Sequence, residues 1–368
     1  MATPERGAGG AGKGAAKPAS KPAAKPTGPI PVAVIGVGHL GRHHARLMKE
    51  VPGAELVCVV DSREEQGRAV AADLGVPWLH SIEELPDSVR AVSIAVPTSA
   101  HHDVACPLLE RGLHALVEKP MAATLSQARR MMELARASGA VLQVGHIERF
   151  NPALSVLREL SVVPRFIQAE RLAPFTYRAL DVSVIMDLMI HDIDIVLQLA
   201  GAPLSRVDGV GSAVLGKHVD IANARLTFEN GCVANVTASR VSFQPVRKTR
   251  VFGADTFVSM DFASRKAFVV RKAEGFRLGS LSAESAAAIP PKASFRQFIS
   301  QGLLDSREIN MDETNPLLTE LTAFIAAVRG EVPDAPPGAV TSASAEDGVR
   351  AMEVALAIAE RIEGHRWT

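Results

Sequence analysis

The run "VAVIGVGHLG", residues 32–41, decides the fold. Val32 to Ile35 read as a short buried strand. Gly36, Gly38 and Gly41 then fall at G-x-G-x-x-G, and a helical pattern continues through Leu47 and Met48. The glycine spacing alone is weak. Here a strand precedes it, a helix follows, and Asp61 closes "ELVCVVD" about twenty residues on, which is the context a dinucleotide-binding turn requires. Gly36 permits the tight turn, Gly38 lets the backbone approach a pyrophosphate, and Gly41 lets helix and strand pack closely. His39 and Leu40 complete the turn, and the helix N-terminus offers free N–H groups to phosphates. Asp61 can accept hydrogen bonds from ribose hydroxyls and would repel a 2′-phosphate, which favours NAD over NADP. Arg63, next to Ser62 just past that acid, keeps NADP open.

Outward from this turn, strands and helices alternate. "AVSIAVPTSAHH" (91–102) is a strand stopped at Pro97, and Val104 to Arg111 begins a helix. "HALVEKPMAATLSQARRMMELARASG" (114–139) gives a strand, a stop at Glu118-Lys119-Pro120 and an amphipathic helix, before "AVLQVGHIERFNP" (140–152) adds another strand. That order predicts a doubly wound parallel sheet with ligands at the carboxyl ends of its strands. A lysine at such an end is most often solvated. Wedged between a strand and Pro120 at the cofactor edge, Lys119 is a candidate for chemistry.

"IMDLMIHDIDIVLQL" (185–199) is apolar on most sides, yet Asp187, His191, Asp194 and Gln198 recur three or four apart. In a helix they share a face. Burying a carboxylate or an imidazole without partners costs several kcal/mol. The stripe therefore either meets partners inside the core or lines a ligand cavity, and the segment alone leaves both readings open.

The chain has 368 residues, enough for two domains, and its 40 Lys plus Arg balance 40 Asp plus Glu, so the global charge points to neither nucleic acid nor membrane. Residues 1–29, rich in Ala, Pro, Gly and Lys, are expected to be a disordered basic tail. No long uncharged apolar run predicts a membrane span. Cys58, Cys106 and Cys232, widely spaced, suit buried thiols in a reducing cytoplasm and show no metal-ligand spacing. After the tail, residues 30–148 form the expected Rossmann domain and 149–368 an α/β substrate and oligomerisation domain. In the latter, "DIANARLTFENGCVANVTASRVS" (220–242) alternates and turns at Asn230-Gly231, a hairpin signal. "KTRVFGADTFVSMDFASRKAFVV" (248–270) continues with strand-like runs, residues 276–309 are poorly periodic and read as an excursion over the sheet, and helices follow at Asn315 to Arg329 and Ala345 to Ile362.

"VIGVGHLG", "VPTSAHH", "VEKPMA", "GHIERFNP" and "DLMIHDIDI", in that order, make the chain resemble the Gfo/Idh/MocA oxidoreductases. The resemblance implies an N-terminal Rossmann domain and a C-terminal α/β domain with an open, mostly antiparallel sheet that builds homodimers or homotetramers. It implies that Lys119 is an active-site lysine and that Asp187 and His191 face the substrate. It also implies that Glu118, Pro97, Thr98 and His101 line the cofactor cleft. His146 stands where many members have Asn. Oxidising a secondary alcohol requires a base within about 3 Å of the hydroxyl. His191 is the first candidate for that base, Asp187 its orienter, and Lys119 the rival base or alkoxide stabiliser.

Polar residues near the expected cleft suit a sugar: His146, Arg149, Asn151, Arg171, Tyr177, Arg178 and Asp181. Arg240, Arg247, Lys248 and Arg250 could hold a diphosphate or simply be solvated or face an oligomer partner. The whole is most like the family's UDP-N-acetylglucosamine 3-dehydrogenase branch. That likeness implies oxidation at C3 of UDP-N-acetylglucosamine with NAD⁺, in some bacteria for lipid A. The alternatives are a dehydrogenase of a free polyol such as inositol or glucose, and a non-catalytic NAD-sensing regulator.

Overall fold

A computed structural model describes residues 28–176, 182–273, 304–311, 313–331 and 341–365. The first sheet is laid down by β1 (Ile30–Ile35), α1 (Gly41–Met48), β2 (Ala54–Val60), α2 (Glu64–Leu74), β3 (Trp78–Leu79), β4 (Ala91–Ile94), α3 (His101–Glu110), β5 (His114–Glu118), α4 (Leu125–Ser138) and β6 (Leu142–Gly145). Its strands are near-continuous apolar runs because helices cover both faces. Local chemistry fixes the helix ends. Thr124 and Gln127 form a reciprocal capping box at the start of α4, and Gly139 closes it in the left-handed region at φ 71°.

The strand order is β3-β2-β1-β4-β5-β6, all parallel, with the order reversing between β1 and β4. A crevice opens at that switch point, outside the carboxyl ends of the strands.

A short α5 (Ser155–Leu160) leads into the second sheet: β7 (Phe166–Leu172), then, beyond a π turn at Ile185–Met189 and α6 (Ile190–Ala200), β8 (Leu204–Ser212), β9 (Ile221–Phe228), β10 (Val233–Ser239), β11 (Val246–Phe252), β12 (Thr256–Asp261), β13 (Lys266–Lys272) and β14 (Leu304–Asn310). The order is β14-β13-β12-β11-β7-β10-β9-β8, antiparallel except for the β7–β10 pair. Alternating burial along β9, β10 and β12 leaves one face packed on helices and the other open. The hairpin expected at Asn230-Gly231 joins β9 to β10, with Gly231 at φ 83°.

Two expectations about the second half need correction. Residues 304–310, read as part of an excursion, form an edge strand paired with β13. "LDSREIN" alternates charge with small and apolar residues and carries little apolar signal of its own, so its pairing comes from the neighbouring strand. Residues 276–303 and the tail to residue 27 lie outside the described residues.

The chain also returns to the first sheet after residue 148. On α7 (Pro316–Val328), Leu317, Leu321, Phe324 and Ile325 join the apolar cluster of Ile30, Val32 and Met48. β15 (Ala343–Ser344) pairs antiparallel with β6, and α8 (Ala345–Glu363) then packs on α4, α6 and β8. The two sheets are therefore fastened by the last fifty or so residues as well as by the 146–155 crossing, and the cleft between them is held by packed helices. No helix among the described residues is long and apolar enough to cross a membrane.

Candidate active site

At the switch point a cavity of about 570 Å³ is lined by Gly36, Gly38 and His39 from the glycine turn, by Asp61, Ser62 and Arg63 after β2, and by Val96 and Pro97 after β4. The glycines differ in what they do. Gly36 takes φ 79°, and a Cβ on Gly41 would stand 1.7 Å from the Gly36 carbonyl oxygen, so Gly41 is demanded by strand–helix packing. A Cβ on Gly38 would meet only the side-chain tips of Arg63 and Gln66, at 3.5 and 3.7 Å, so Gly38 leaves open a cradle that no packing requires. Asp61 is turned toward this cradle because its Oδ2 accepts from the Val37 N–H and its Oδ1 from the Arg63 N–H, both at 2.9 Å. Such a cavity, with a side-chain-free floor and an oriented carboxylate at its far end, fits a dinucleotide. Thr98 opens the short turn after Pro97, and Leu40 projects half-exposed from the start of α1.

At the end of β5 the chain presents Glu118 and Lys119, followed by a cis peptide to Pro120. Lys119 Nζ donates to the Asp187 carbonyl at 2.8 Å and lies 3.5 Å from Asp187 Oδ1. Asp187 falls in the π turn that begins the "IMDLM" helix, a local widening that recurs at functional sites. His191 lies in the first turn of α6. Its ring is partly exposed, while its Nδ1 is sealed from solvent and has no partner among the described residues. Burial, and then the nearby charges of Lys119 and Arg171, hold the His191 imidazole well below its ordinary pKa of 6.5. At neutral pH it is uncharged and able to accept a proton. An ammonium from the end of β5 thus meets a carboxylate from the π turn, with a neutral imidazole of α6 near enough to feel the ammonium's charge.

The polar stripe of residues 185–199 divides. Asp187 and His191 face this cleft. Asp194 instead receives two hydrogen bonds from Arg149, the Nε contact at 2.7 Å, and Gln198 reaches Thr341. The internal-partner reading holds for Asp194 and Gln198.

Arg149 also binds the Thr341 carbonyl at 3.0 Å and Asp347 at 3.2 Å, which ties α8 to the crossing segment. Arg171 donates to Asp192 at 2.8 and 3.0 Å and to Glu148 at 2.7 Å. Burial works against the Arg171 charge, and the two carboxylates more than offset it, so the guanidinium keeps its proton more firmly than usual. Both arginines were expected to touch substrate. They are 5% and 3% exposed, and their donors are committed to internal acids. Asn151 caps the next turn through Ala153 N–H. His146 is sealed in the layer behind His191, its Nδ1 3.8 Å from Asp194, and burial lowers its pKa. His101 does not face the cavity either. Its ring bridges the Val96 and Pro120 carbonyls, 3.0 Å from each, and so pins two cleft-lining loops together. Tyr177, Arg178 and Asp181 lie outside the described residues.

A polar layer behind Glu118 escaped the sequence reading. His44, on the buried face of α1, shares its Nδ1 with Ser93 at 2.8 Å and brings its Nε2 to 3.0 Å from Glu118 Oε1. Glu118 in turn accepts from the Lys119 N–H at 3.3 Å. Glu320, on α7, is 2% exposed, with neither carboxyl oxygen paired among the described residues. Burial first, and then the charges of Glu118 and Asp194, push its pKa well above the ordinary carboxyl value. The signal for Glu320 was a lone acid among Leu317, Leu318, Leu321 and Phe324 in an apolar helix. For Asp192 it was an acid next to the polar stripe of Asp187, His191, Asp194 and Gln198.

Residues 30–146 match the model of an oxidoreductase family with an NAD-binding Rossmann fold, and residues 162–258 match the Gfo/Idh/MocA C-terminal domain. A UDP-N-acetylglucosamine 3-dehydrogenase of Acidithiobacillus ferrooxidans is 42% identical over 243 residues, 66% of this chain and 77% of that protein. A solved structure of that enzyme superposes with a TM-score of 0.77 at 33% identity, covering 91% of this chain and 98% of its own. A scyllo-inositol 2-dehydrogenase (NAD⁺) of Bacillus subtilis is 32% identical over 57% of this chain and 67% of that protein. With both domain models matched in order on the two sheets that frame the cleft, the chain belongs to the Gfo/Idh/MocA family of NAD-binding oxidoreductases.

Proposed function

We propose that this protein oxidises the C3 hydroxyl of UDP-N-acetylglucosamine to the 3-keto sugar nucleotide, with NAD⁺ as the preferred acceptor. The observation that carries the reading is the Lys119–Asp187 contact, which joins the end of β5 to the π turn before α6, with the His191 imidazole near enough for the Lys119 charge to lower its pKa. A bound nicotinamide would supply the acceptor for the hydride that leaves the carbinol carbon. The protein's own part is the proton and the charge. His191, neutral at working pH, accepts the hydroxyl proton, and its depressed pKa makes it release that proton readily afterwards. Lys119 has three donors, of which two are directed at Asp187, leaving one for the oxygen that becomes an alkoxide and then a ketone. Asp187 fixes the ammonium and can accept from a neighbouring sugar hydroxyl.

Asp61 supports NAD over NADP: two backbone N–H groups hold its carboxylate at the cavity, where it would accept from ribose hydroxyls and repel a 2′-phosphate. Arg63 Nε lies 3.5 Å from the same carboxylate, so its charge is partly spent there. The product, a ketone next to an acetamido carbon, is set up for amination, as in lipid A precursor synthesis in the cytoplasm. The open face of the second sheet carries the packed rings of Phe166, Phe252 and Phe257, with centroids 5.6 and 4.8 Å apart, and would be covered by a second copy in a dimer or tetramer.

The experiment is NADH formation by the purified protein with UDP-N-acetylglucosamine, N-acetylglucosamine, glucose and myo-inositol in parallel. Turnover confined to the sugar nucleotide, with UDP raising the melting temperature in the presence of NAD⁺, is the expected result. Turnover of inositol without any response to UDP would assign a free polyol instead, and no turnover with any of them would point to a sensor.

A further inference from the structure

Of the four cations of the 240–250 segment, three have internal partners. Arg240 is buried against Asp220 and the Val182 carbonyl, Lys248 lies 3.6 Å from Asp261, and Arg250 is 3.1 Å from Glu170. Arg247 is different. It is exposed, and among the described residues no carboxylate or carbonyl accepts from its guanidinium.

Its position is set by strand register. Arg247 pairs with Arg171 across β11 and β7, so it shares a sheet face with Thr249 and Val251, both fully buried. Alternation thus aims it at the helix-covered side, at the one place along β11 where that side is uncovered. Arg171 beside it is bound to Asp192, the neighbour of His191 in α6. The positive charge of Arg247 reaches both: it disfavours protonation of His191 and favours the ionised form of Asp192. A desolvated imidazole and a guanidinium near enough for its charge to be felt, with no acceptor of its own among the described residues, gain nothing from each other. The guanidinium makes sense there if an anion comes with the ligand.

We infer that Arg247 is the specificity residue for the anionic group of the substrate, a phosphate of the nucleoside diphosphate sugar. The inference rests on the function proposed above and adds to it the residue that separates a sugar nucleotide from a free sugar. A planar guanidinium offers two parallel N–H donors to two phosphate oxygens, while a lysine offers only a point charge. The cofactor also carries a diphosphate, but its cradle is the glycine turn, and Arg247 does not line that cavity. The two sources of phosphate are therefore separable by experiment.

The test compares wild type with Arg247→Gln and Arg247→Lys, measuring NADH formation from UDP-N-acetylglucosamine, inhibition by UDP, and NAD⁺ affinity by fluorescence titration. Loss of a charge-assisted contact predicts that KM and the UDP inhibition constant each rise about 10- to 100-fold in Arg247→Gln, with a smaller change in kcat. Arg247→Lys should fall between, and NAD⁺ affinity should stay within about threefold of wild type. If wild type is inhibited by UDP and both variants are inhibited equally, the inference is wrong while the proposed function stands. If NAD⁺ affinity falls in step with UDP affinity, Arg247 serves the cofactor and the inference is wrong. If wild type ignores UDP altogether, the proposed function itself fails, and this inference with it.

Discussion

Arg171→Met asks whether this guanidinium holds the protein together or holds the substrate. In the structure it is 3% exposed and makes three charge-assisted hydrogen bonds, at 2.8 and 3.0 Å to Asp192 and 2.7 Å to Glu148. Methionine fills most of the same volume, so the main loss is electrostatic: two sealed carboxylates are left facing each other. Removing one partner of a buried pair costs about 3–5 kcal/mol. Asp192→Asn removes charge from the other side and leaves Arg171 balanced by Glu148 alone, so the expected loss is smaller, about 1–2 kcal/mol.

The pH dependence carries a definite sign. Burial holds the Asp192 pKa above its ordinary value, and the Arg171 guanidinium opposes that rise. Without Arg171 the folded pKa of Asp192 climbs further, so its protonated form contributes stability that is fully present below the unfolded pKa and is lost as pH rises through the folded value. The gap between Arg171→Met and wild type should therefore be smallest near about pH 4–5 and widest near about pH 8. Urea unfolding followed by circular dichroism at both pH values measures it, alongside Michaelis kinetics. An unfolding midpoint equal to wild type at the higher pH, together with a KM for the sugar nucleotide raised tenfold or more, would refute the structural role and restore the substrate contact.

The remaining predictions concern the cleft and the layer behind it. Lys119→Met and His191→Asn should each lower kcat/KM by about 100-fold or more while NAD⁺ affinity in a fluorescence titration changes little. With His191 as the base, wild-type activity is lost only as pH falls well below 6.5. Glu320, with its folded pKa raised, contributes stability that is complete below its unfolded value and lost as pH rises through the folded one. Glu320→Gln, uncharged at every pH, should gain melting temperature relative to wild type on going from acid to mildly alkaline buffer; parallel melting curves across that range would contradict it. Gly38→Ala should melt like wild type yet bind NAD⁺ at least tenfold more weakly, because its Cβ enters the cradle and meets only side-chain tips. Gly41→Ala, 1.7 Å from a backbone oxygen, should fail to accumulate as folded protein.

Much of the first sheet was legible because its signals are local. The glycine turn, Asp61 and the strand stops at Pro97 and Pro120 mark the carboxyl ends of four strands directly, and β1, β2, β4 and β5 appear where those signals put them. The open antiparallel second sheet came from the Asn230-Gly231 turn and from the resemblance. Partner choice in the interior was not legible. Arg149 and Arg171 look like ligand-binding residues in a sequence, because nothing local says that Asp194, Asp347 and Asp192, between 21 and 198 positions away, will meet them. The same limit hid β14, whose pairing is supplied by β13, and Glu320, which reaches the Glu118 layer only because α7 folds back onto the first sheet. Residues whose role is set by the chain immediately around them could be read, and residues whose role is set by a distant charge could not.

A crystal structure of the protein with NAD⁺ and UDP-N-acetylglucosamine, using the Lys119→Met variant to hold the pair, would show whether the two ligands meet between Lys119 and His191. The nicotinamide should lie at the end of β5, with the sugar C3 hydroxyl about 3 Å from both His191 and the Lys119 position. A sugar nucleotide bound with its C3 hydroxyl turned away from both side chains, or seated outside the cleft between the two sheets, would contradict this arrangement.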